Sequence, residues 1–488
     1  MWFDERPDKN IKTLVKGGFS LCCKKGDVDI PLLERPPDLL VGLLNGSDPR
    51  SKHYIEHIRA YNSMFAFTSI GGKIDDKIND GGGPPQFILS GQNYHRIGSL
   101  LPERGTRPKF AQLYIYDTNK ELVNRVSHFR YYLHLYLTHK LYLTHKLFEN
   151  TTTRFKIYNI ANRLLMSTTR SDNKSVCFDT SLVEDLTKMV DDYNRLAQTF
   201  RRVRDFATQQ PSTNFQLKLM RHRSKDARMY NLPTSDEVAA LIIGDDDSIE
   251  QGRDVIVRKF STGFTKLPET HPSFLPLQYP MMFPRGQDGW HVNIEYREPE
   301  NGKQRKRTRV TMREFIAFRI QERAVEYGNI VNGRRLFQQF LVDTFTMLES
   351  QRLSFIRYNQ KEVRSDILNG LQEAVIRGET TASSVGRRVI IPPSFTGGMR
   401  YMFNNSQDAM AICKTFGYPD LFITITCNSN WREIQEFVSI RGLRASDRPD
   451  IVCRIFKMKL DQLMRDLKKD EMFGNVDAGK SLSCFCLF

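Results

Sequence analysis

SLVEDLTKMVDDYNRLAQTFRRV, residues 181–203, is the clearest helix signal in the chain. Ser181 and Glu184 have the spacing of a capping box, which satisfies two orphan N–H groups at a helix start. Leu182, Leu186, Met189, Tyr193, Leu196, Phe200 and Val203 then recur at alternating steps of four and three. That spacing predicts one continuous helix, either docked on the chain's own core or paired as a coiled coil. Sequence of a different kind lies on both sides. Residues 1–130 are short apolar runs (Phe87–Leu89, Leu113–Tyr116) broken by Gly71-Gly72, Gly81–Pro85, Pro102 and Gly105. Residues 211–300 are again strand and turn, with Phe215–Met220, Val255–Val257 and a Pro-punctuated run from His271 to Trp290. A long helix between strand-and-turn modules predicts an α+β fold.

Helices dominate the third part. Thr311 and Glu314 form a second capping box ahead of Met312, Phe315, Ile316 and Ile320. Phe337, Phe340, Leu341, Thr344, Phe345, Leu348 and Phe355 stripe a helix from about Arg334 to Arg357, and another runs from about Ile451 to Lys469. Leu421–Cys427 (LFITITC) reads as a strand, with Ile423 and Ile425 on one face and Phe422, Thr424 and Thr426 on the other.

Residues 131–175 interrupt this order. LYLTHK at Leu135–Lys140 is repeated letter for letter at Leu141–Lys146. A hexapeptide is too short for a solenoid unit, since those run ~20 residues or more. The segment reads as an insertion, from an unspliced intron or a microsatellite expansion, with a surface loop as the other reading. The expected organisation is therefore 1–130, an α+β module; 131–175, the insertion; 176–310, a connecting module; 311–479, a helical segment leading into a sheet; and 480–488, a foreign tail.

Composition narrows the function classes. Among 488 residues, 72 Lys+Arg against 56 Asp+Glu leave a formal charge of +16, which favours polyanionic partners, nucleic acid before anionic membrane. No apolar run approaches the ~18 residues of a membrane span, and the charged N-terminus lacks the apolar core of a secretory signal. Eight Cys are too few for a disulfide scaffold and suit a reducing cytosol or nucleus.

The cations cluster. Lys303–Arg309 (KQRKRTR) holds five in seven residues: Lys303, Arg305, Lys306, Arg307 and Arg309. Arg313, Arg319, Arg323, Arg334, Arg335, Arg352 and Arg357 follow, Arg319 and Arg323 being expected on the exposed face of a helix, with Tyr358 able to stack a base. The alternatives are a solvated hairpin tip after the turn Glu298–Gly302 and a nuclear-import patch. Nucleic acid or import is the preferred reading, and it names Lys303, Arg305, Lys306, Arg307, Arg309, Arg334 and Arg335.

Three other patterns carry less. His53 and His57 lie one helical turn apart, as metal-binding pairs do, but Tyr54 takes the place of a zinc protease's Glu and no third ligand is evident, so an amphipathic helix is the reading. Cys22-Cys23 and Cys484/Cys486 lack the two-residue spacer of a zinc knuckle, which leaves zinc at Cys22/Cys23 an open question. Gly474–Ser481 fits G-x-x-x-x-G-K-S, the phosphate loop. The chemistry needs a strand before the loop and a helix after it, whereas DQLMRDLKKDEMF before it is helical, so the match is read as coincidence and no ATP site is assigned.

Longer phrases resemble the N-terminal half of Helitron transposon proteins. They are FSLCC (Phe19–Cys23), IRAYNSMFAFTSIGGKID (Ile58–Asp75), GQNYHRIGSLLP (Gly91–Pro102), KFAQLYIYDT (Lys109–Thr118), YNLPTSDEVAALIIGD (Tyr230–Asp245), HPSFLPLQYPMMFPRGQDGWH (His271–His291), GRRLFQQFLVD (Gly333–Asp343) and FITITCNSNWREI (Phe422–Ile434). The resemblance implies a rolling-circle transposase. In that family an initiator nuclease nicks single-stranded DNA with a Tyr nucleophile and a metal on a His-hydrophobic-His strand, and it is joined to an ATP-driven superfamily-1 helicase.

Phe422–Asn428 resembles the first initiator motif, which places Thr424, Thr426 and Asn428 on a central strand. No His-x-His occurs in the sequence, all ten His lie at or before His291, and KSLSCFCLF follows Gly479. The expectation is thus an α+β chain ending in a truncated initiator-like sheet, with no catalytic residues, metal site or bound cofactor of its own. Divalent metal and ATP belong to a complete family member. The expected partner is DNA, single-stranded before duplex, and the expected location is the nucleus. The alternative is an active Helitron nuclease–helicase represented incompletely by this sequence.

Overall fold

In the computed structural model, the described residues are 23–71, 73–74, 89–90, 94–126, 178–220, 239–243, 255–260, 264–297, 307–323, 325–360, 390–396, 398–468 and 474. They fall into two compact units, Met1–Phe340 with Ser446–Arg448, and Leu341–Ala445 with Pro449–Phe488. The insertion expected at 131–175 and the tail 480–488 lie outside the described residues.

The first unit is α+β. Its strands form small antiparallel sheets: β1 (Ser69–Ile70), β4 (Tyr94–Ile97) and β8 (Thr265–Pro268) in the order β1-β4-β8; β2 (Lys73–Ile74) with β3 (Leu89–Ser90); and β5 (Phe215–Leu219) between β6 (Ala239–Ile243) and β7 (Val255–Arg258). The same unit holds the helices Asp38–Asn45, Ser51–Glu56, Ile58–Phe65, Thr180–Tyr193 and Arg195–Gln209, each of which packs on a neighbour in sequence. Leu113–Tyr116 is no strand. Phe110–Tyr114 turns as a 3-10 helix whose buried Leu113 and Tyr114 face the core.

The centre of this unit is made by sequence with little regular structure. Every residue from 271 to 284 is buried, although only Phe274–Gln278 is helical. Buried backbone needs hydrogen-bond partners, and side chains from distant segments supply them. Asn62 donates through Nδ2 to the Gln278 carbonyl at 2.9 Å and accepts from the Met281 N–H at 3.3 Å. Thr68 Oγ1 donates to Gln278 Oε1 at 3.2 Å. The Phe67 N–H donates to the Leu277 carbonyl at 2.8 Å. Aromatic rings fill the remaining volume: Phe67 stacks on Tyr114 at 4.3 Å, His95 stacks on Phe274 at 3.6 Å, and Tyr279 meets Phe340 edge-on at 5.4 Å. The described parts of the phrases at 58–71, 94–102, 109–118, 271–291 and 333–340 thus meet in one core.

The heptad-spaced segment is two helices and not one. Thr180–Tyr193 stops at Asn194, which is fully buried and caps Arg195–Gln209 by accepting from the Leu196 and Ala197 N–H groups at 3.0 and 3.2 Å. The cap of the first helix is Asp179 and not the Ser181/Glu184 box; its carboxylate accepts from the Ser181 and Leu182 N–H groups. Of the seven heptad residues six are buried, whereas Tyr193 is exposed beneath Arg285. The stripe therefore docks on the chain's own core.

In the second unit the described elements are helical: the greater part of Arg335–Tyr358, then Met399–Phe416, Arg432–Ser439 and Pro449–Lys468. The sheet expected here is not found among the described residues. Leu421–Asn428 is irregular and mostly exposed, with Phe422 at 96%. β-branched residues favour a strand only where a neighbouring strand offers a ladder and a packing surface, and no described segment offers either.

Candidate nucleic-acid interface

The described end of the basic run lies in a short antiparallel contact: the Tyr296 N–H donates to the Thr308 carbonyl at 3.0 Å and the Val310 N–H to the Ile294 carbonyl at 2.8 Å, with Glu295 bridged to Arg309. Alternation puts Ile294, Tyr296 and Val310 inside and leaves Arg307 and Arg309 exposed. Trp290 Nε1 donates to the Val310 carbonyl at 3.1 Å. Lys303, Arg305 and Lys306 belong to the intervening segment, outside the described residues.

The base of this hairpin is fixed by charge. Tyr296 donates its hydroxyl proton to Glu314 Oε2 at 2.6 Å, and Lys24 Nζ reaches both Tyr296 Oη (3.3 Å) and Glu314 Oε1 (3.4 Å). Glu314 closes the capping box of the helix Met312–Arg319 with Thr311, as the spacing predicts. Burial alone would raise the Glu314 carboxyl, but the donors Tyr296 and Thr311 and the Lys24 charge outweigh it and hold it below the usual range. Burial and the bond to Glu314 push the Tyr296 hydroxyl up.

The other expected DNA contacts are engaged elsewhere. Arg334 turns into the fold at a left-handed φ of +51°, ion-paired with Asp447 at 3.3 Å. Arg335 begins the helix Arg335–Tyr358, and its carbonyl accepts from Arg59 Nε at 2.9 Å. Arg319 is buried at 5%, against the expectation of an exposed face: its guanidinium lies over the Phe315 ring at 5.2 Å and the Phe318 ring at 6.0 Å and donates to the Pro31 carbonyl at 2.6 Å. Aromatic faces and a backbone carbonyl together hold the buried charge, which a residue-type pattern does not show. Arg323 lies beyond that helix, 3.7 Å over the Phe318 ring and 3.5 Å from Glu326. Tyr358 is 84% exposed at the end of its helix.

Thr424 and Thr426 lie in the irregular segment, both exposed. Asn428 makes a turn, its Oδ1 accepting from the Asn430 N–H at 2.9 Å just ahead of the helix Arg432–Ser439. Burial raises the neighbouring Cys427 thiol, whose Sγ lies 3.8 Å from the Val452 carbonyl. The three residues named for the initiator motif therefore occupy an exposed loop and not a strand.

His53 stands on the helix Ser51–Glu56 and His57 at the turn between it and Ile58–Phe65, with ring centroids 4.7 Å apart and both rings edge-on to Phe178. Among the described residues, no three His, Cys, Asp or Glu group to hold a metal. Cys22, Cys484, Cys486 and all of the phosphate-loop match except Gly474 lie outside the described residues.

Residues 315–480 match the model of the Helitron helicase-like domain at the N-terminus of such proteins. The chain carries a Helitron helicase-like domain. The matched stretch takes in the end of the helix Met312–Arg319, all of Arg335–Tyr358, Met399–Phe416, Arg432–Ser439 and Pro449–Lys468, and the exposed loop 421–428. No curated protein matches the chain. The basic hairpin immediately precedes the Helitron domain, and the Tyr296–Glu314 bond ties it to the start of the helix Met312–Arg319, which runs into the matched stretch. No described helix of this Helitron-related protein is long and apolar enough to cross a membrane.

Proposed function

We propose that this Helitron-related protein binds single-stranded DNA in rolling-circle transposition and acts as a binding component without nicking or unwinding DNA itself. The observation that carries the reading is the cationic hairpin: Arg307 and Arg309 are exposed beside the Glu295–Arg309 bridge, and Lys24, Tyr296 and Glu314 tie its base to the helix that leads into the Helitron domain. Exposed cations next to a fixed bridge suit phosphate contact, which supplies affinity without reading bases. The same cations serve nuclear import in this reading, which places the protein with its DNA.

The test is oligonucleotide affinity against salt concentration. Replacing Lys303, Arg305, Lys306, Arg307 and Arg309 with Gln should flatten the slope of log K against log salt by about 3–4, at ~0.7 per single-strand phosphate contact. A slope unchanged by all five substitutions sinks the reading. Cleavage of single-stranded DNA by the chain with Mg²⁺ or Mn²⁺ would favour the alternative, an active nuclease–helicase in which divalent metal and ATP take part.

A further inference from the structure

The outer face of the sheet β1-β4-β8 has a composition that the core does not require. Its inner face is ordinary: His95, Ile97 and Leu267 are buried. Register places Ser69, Arg96 and Lys266 in one row across the outer face, and Tyr94 two residues along the same strand as Arg96. Arg96 and Lys266 are thus two cations directly opposite each other on neighbouring strands, an arrangement that costs stability. No hydrogen bond or ion pair links Lys266 to any described residue; its Nζ lies 5.0 Å over the Tyr94 ring. The Arg96 guanidinium donates to the Gly71 carbonyl and lies 5.9 Å from the centre of the Tyr94 ring and 5.7 Å from that of Phe264.

Phe264, just before β8, is 65% exposed, and Phe260 at the end of β7 is 60% exposed. Close packing fixes the Tyr94 ring, because a Cβ added at Gly71 would fall 2.2 Å from it. Phe264 lies beside Gly98, which has no side chain to cover it. The face therefore combines two rings able to stack, two opposed cations, and no carboxylate paired to either cation among the described residues.

We propose that this face is a second single-stranded DNA site, where bases stack on Tyr94 and Phe264 and the backbone phosphate lies between Arg96 and Lys266. A phosphate there removes the repulsion across the strand pair. The exposed phenylalanine gains a partner that water does not provide. Base–aromatic stacking on a cationic sheet tolerates any sequence, which sets this site apart from the phosphate-only hairpin. The inference rests on the DNA-binding reading and extends it to a second surface.

The experiment uses the full chain with a fluorescent oligo-dT and, in parallel, a duplex of the same length. Phe264→Ala with Lys266→Gln should weaken oligo-dT binding about tenfold or more and leave the duplex affinity within about twofold. Phe264→Tyr, which keeps a ring, should restore most of the loss. Both positions are exposed, so an unchanged thermal midpoint guards against misfolding, and Lys266→Gln alone is the fallback variant. Oligo-dT affinity unchanged in the double variant, while the hairpin substitutions abolish it, overturns the sheet site and leaves the DNA-binding reading standing. Absence of oligo-dT binding by the unaltered chain overturns both. An equal loss on oligo-dT and duplex overturns the stacking role, because phosphate contact alone would explain it.

Discussion

Arg201 holds Glu121 from across the core, its Nη2 2.9 Å from Oε2, although 80 residues separate the two in sequence. The same guanidinium is bidentate to Asp191 at 2.9 Å. On its other side Glu121 binds Arg125, whose side chain has no exposed surface and lies between the rings of Phe65 and Tyr114. Glu121→Gln leaves Arg125 without its carboxylate and Arg201 with one instead of two. Breaking a buried pair from one side costs about 3–5 kcal/mol. Urea unfolding should show a loss of that order, and a loss below about 1 kcal/mol would mean the network is solvated.

The break at Asn194 makes a second expectation. Asn194→Ala removes the acceptor of the Leu196 and Ala197 N–H groups and the 3.4 Å bond from Nδ2 to the Phe283 carbonyl. Loss of an N-cap costs about 0.5–2 kcal/mol, and complete burial places this one at the upper end. Gly286 packs over the cap at a φ of +72°, with an added Cβ only 3.1 Å from Asn194 Oδ1. Gly286→Ala should therefore destabilise the same junction, and the two effects should not add. Additive losses in denaturation would separate them.

Burial holds the His95 imidazole well below its ordinary range, at about 3, although its bond with the Phe274 backbone acts the other way. The folded state therefore keeps His95 neutral where the unfolded chain protonates it, near 6.5. Its stabilising contribution is complete above about pH 6.5 and falls as pH drops toward 3, by up to about 1.4 kcal/mol per pH unit. His57 shifts the same way, through burial and the neighbouring His53. Unfolding midpoints measured between pH 7 and 4 should fall, and His95→Gln should flatten part of that decline. An identical pH profile in the variant would assign the decline to other groups.

Arg334 and Arg307 should separate stability from binding. Arg334 pairs with Asp447 and has little exposed side chain, whereas Arg307 is exposed. Arg334→Ala should cost about 1–3 kcal/mol through loss of its ion pair with the buried Asp447 and leave the salt slope of DNA binding unaltered. Arg307→Ala should leave stability within about 0.5 kcal/mol and reduce that slope by about 0.7. The reverse pattern would move the DNA contact to Arg334.

Helix periods and caps were legible where the residue's own element decides its fate. The Thr311–Glu314 box formed as spaced, and of the expected stripe Phe337, Phe340, Leu341 and Thr344 are buried while Phe345 and Leu348 are half-buried and Phe355 is exposed. The break at Asn194 was hidden because the heptad rhythm continues across it: Leu196 resumes the apolar stripe after Tyr193. What depends on a partner was not legible. Phe422–Cys427 has strand-forming residues and no described strand beside it. Arg319 has the charge of a surface residue and a buried exit at the Pro31 carbonyl. The sheet face escaped notice for a similar reason, since Tyr94 and Phe264 are far apart in sequence and only the ladder of β4 with β8 joins their surroundings.

The bond between Asn62 and the Gln278 carbonyl spans 216 residues. Ribosomes add about 5–20 residues per second, so the helix Ile58–Phe65 emerges some 10–40 s before its partner segment exists. Throughout that interval Tyr61, Met64, Phe65 and Phe67, all buried in the finished fold, stand open to solvent and to neighbouring nascent chains. The protein's yield in a cell should therefore depend on what shelters this helix during synthesis, and slower translation downstream of residue 70 should lower it.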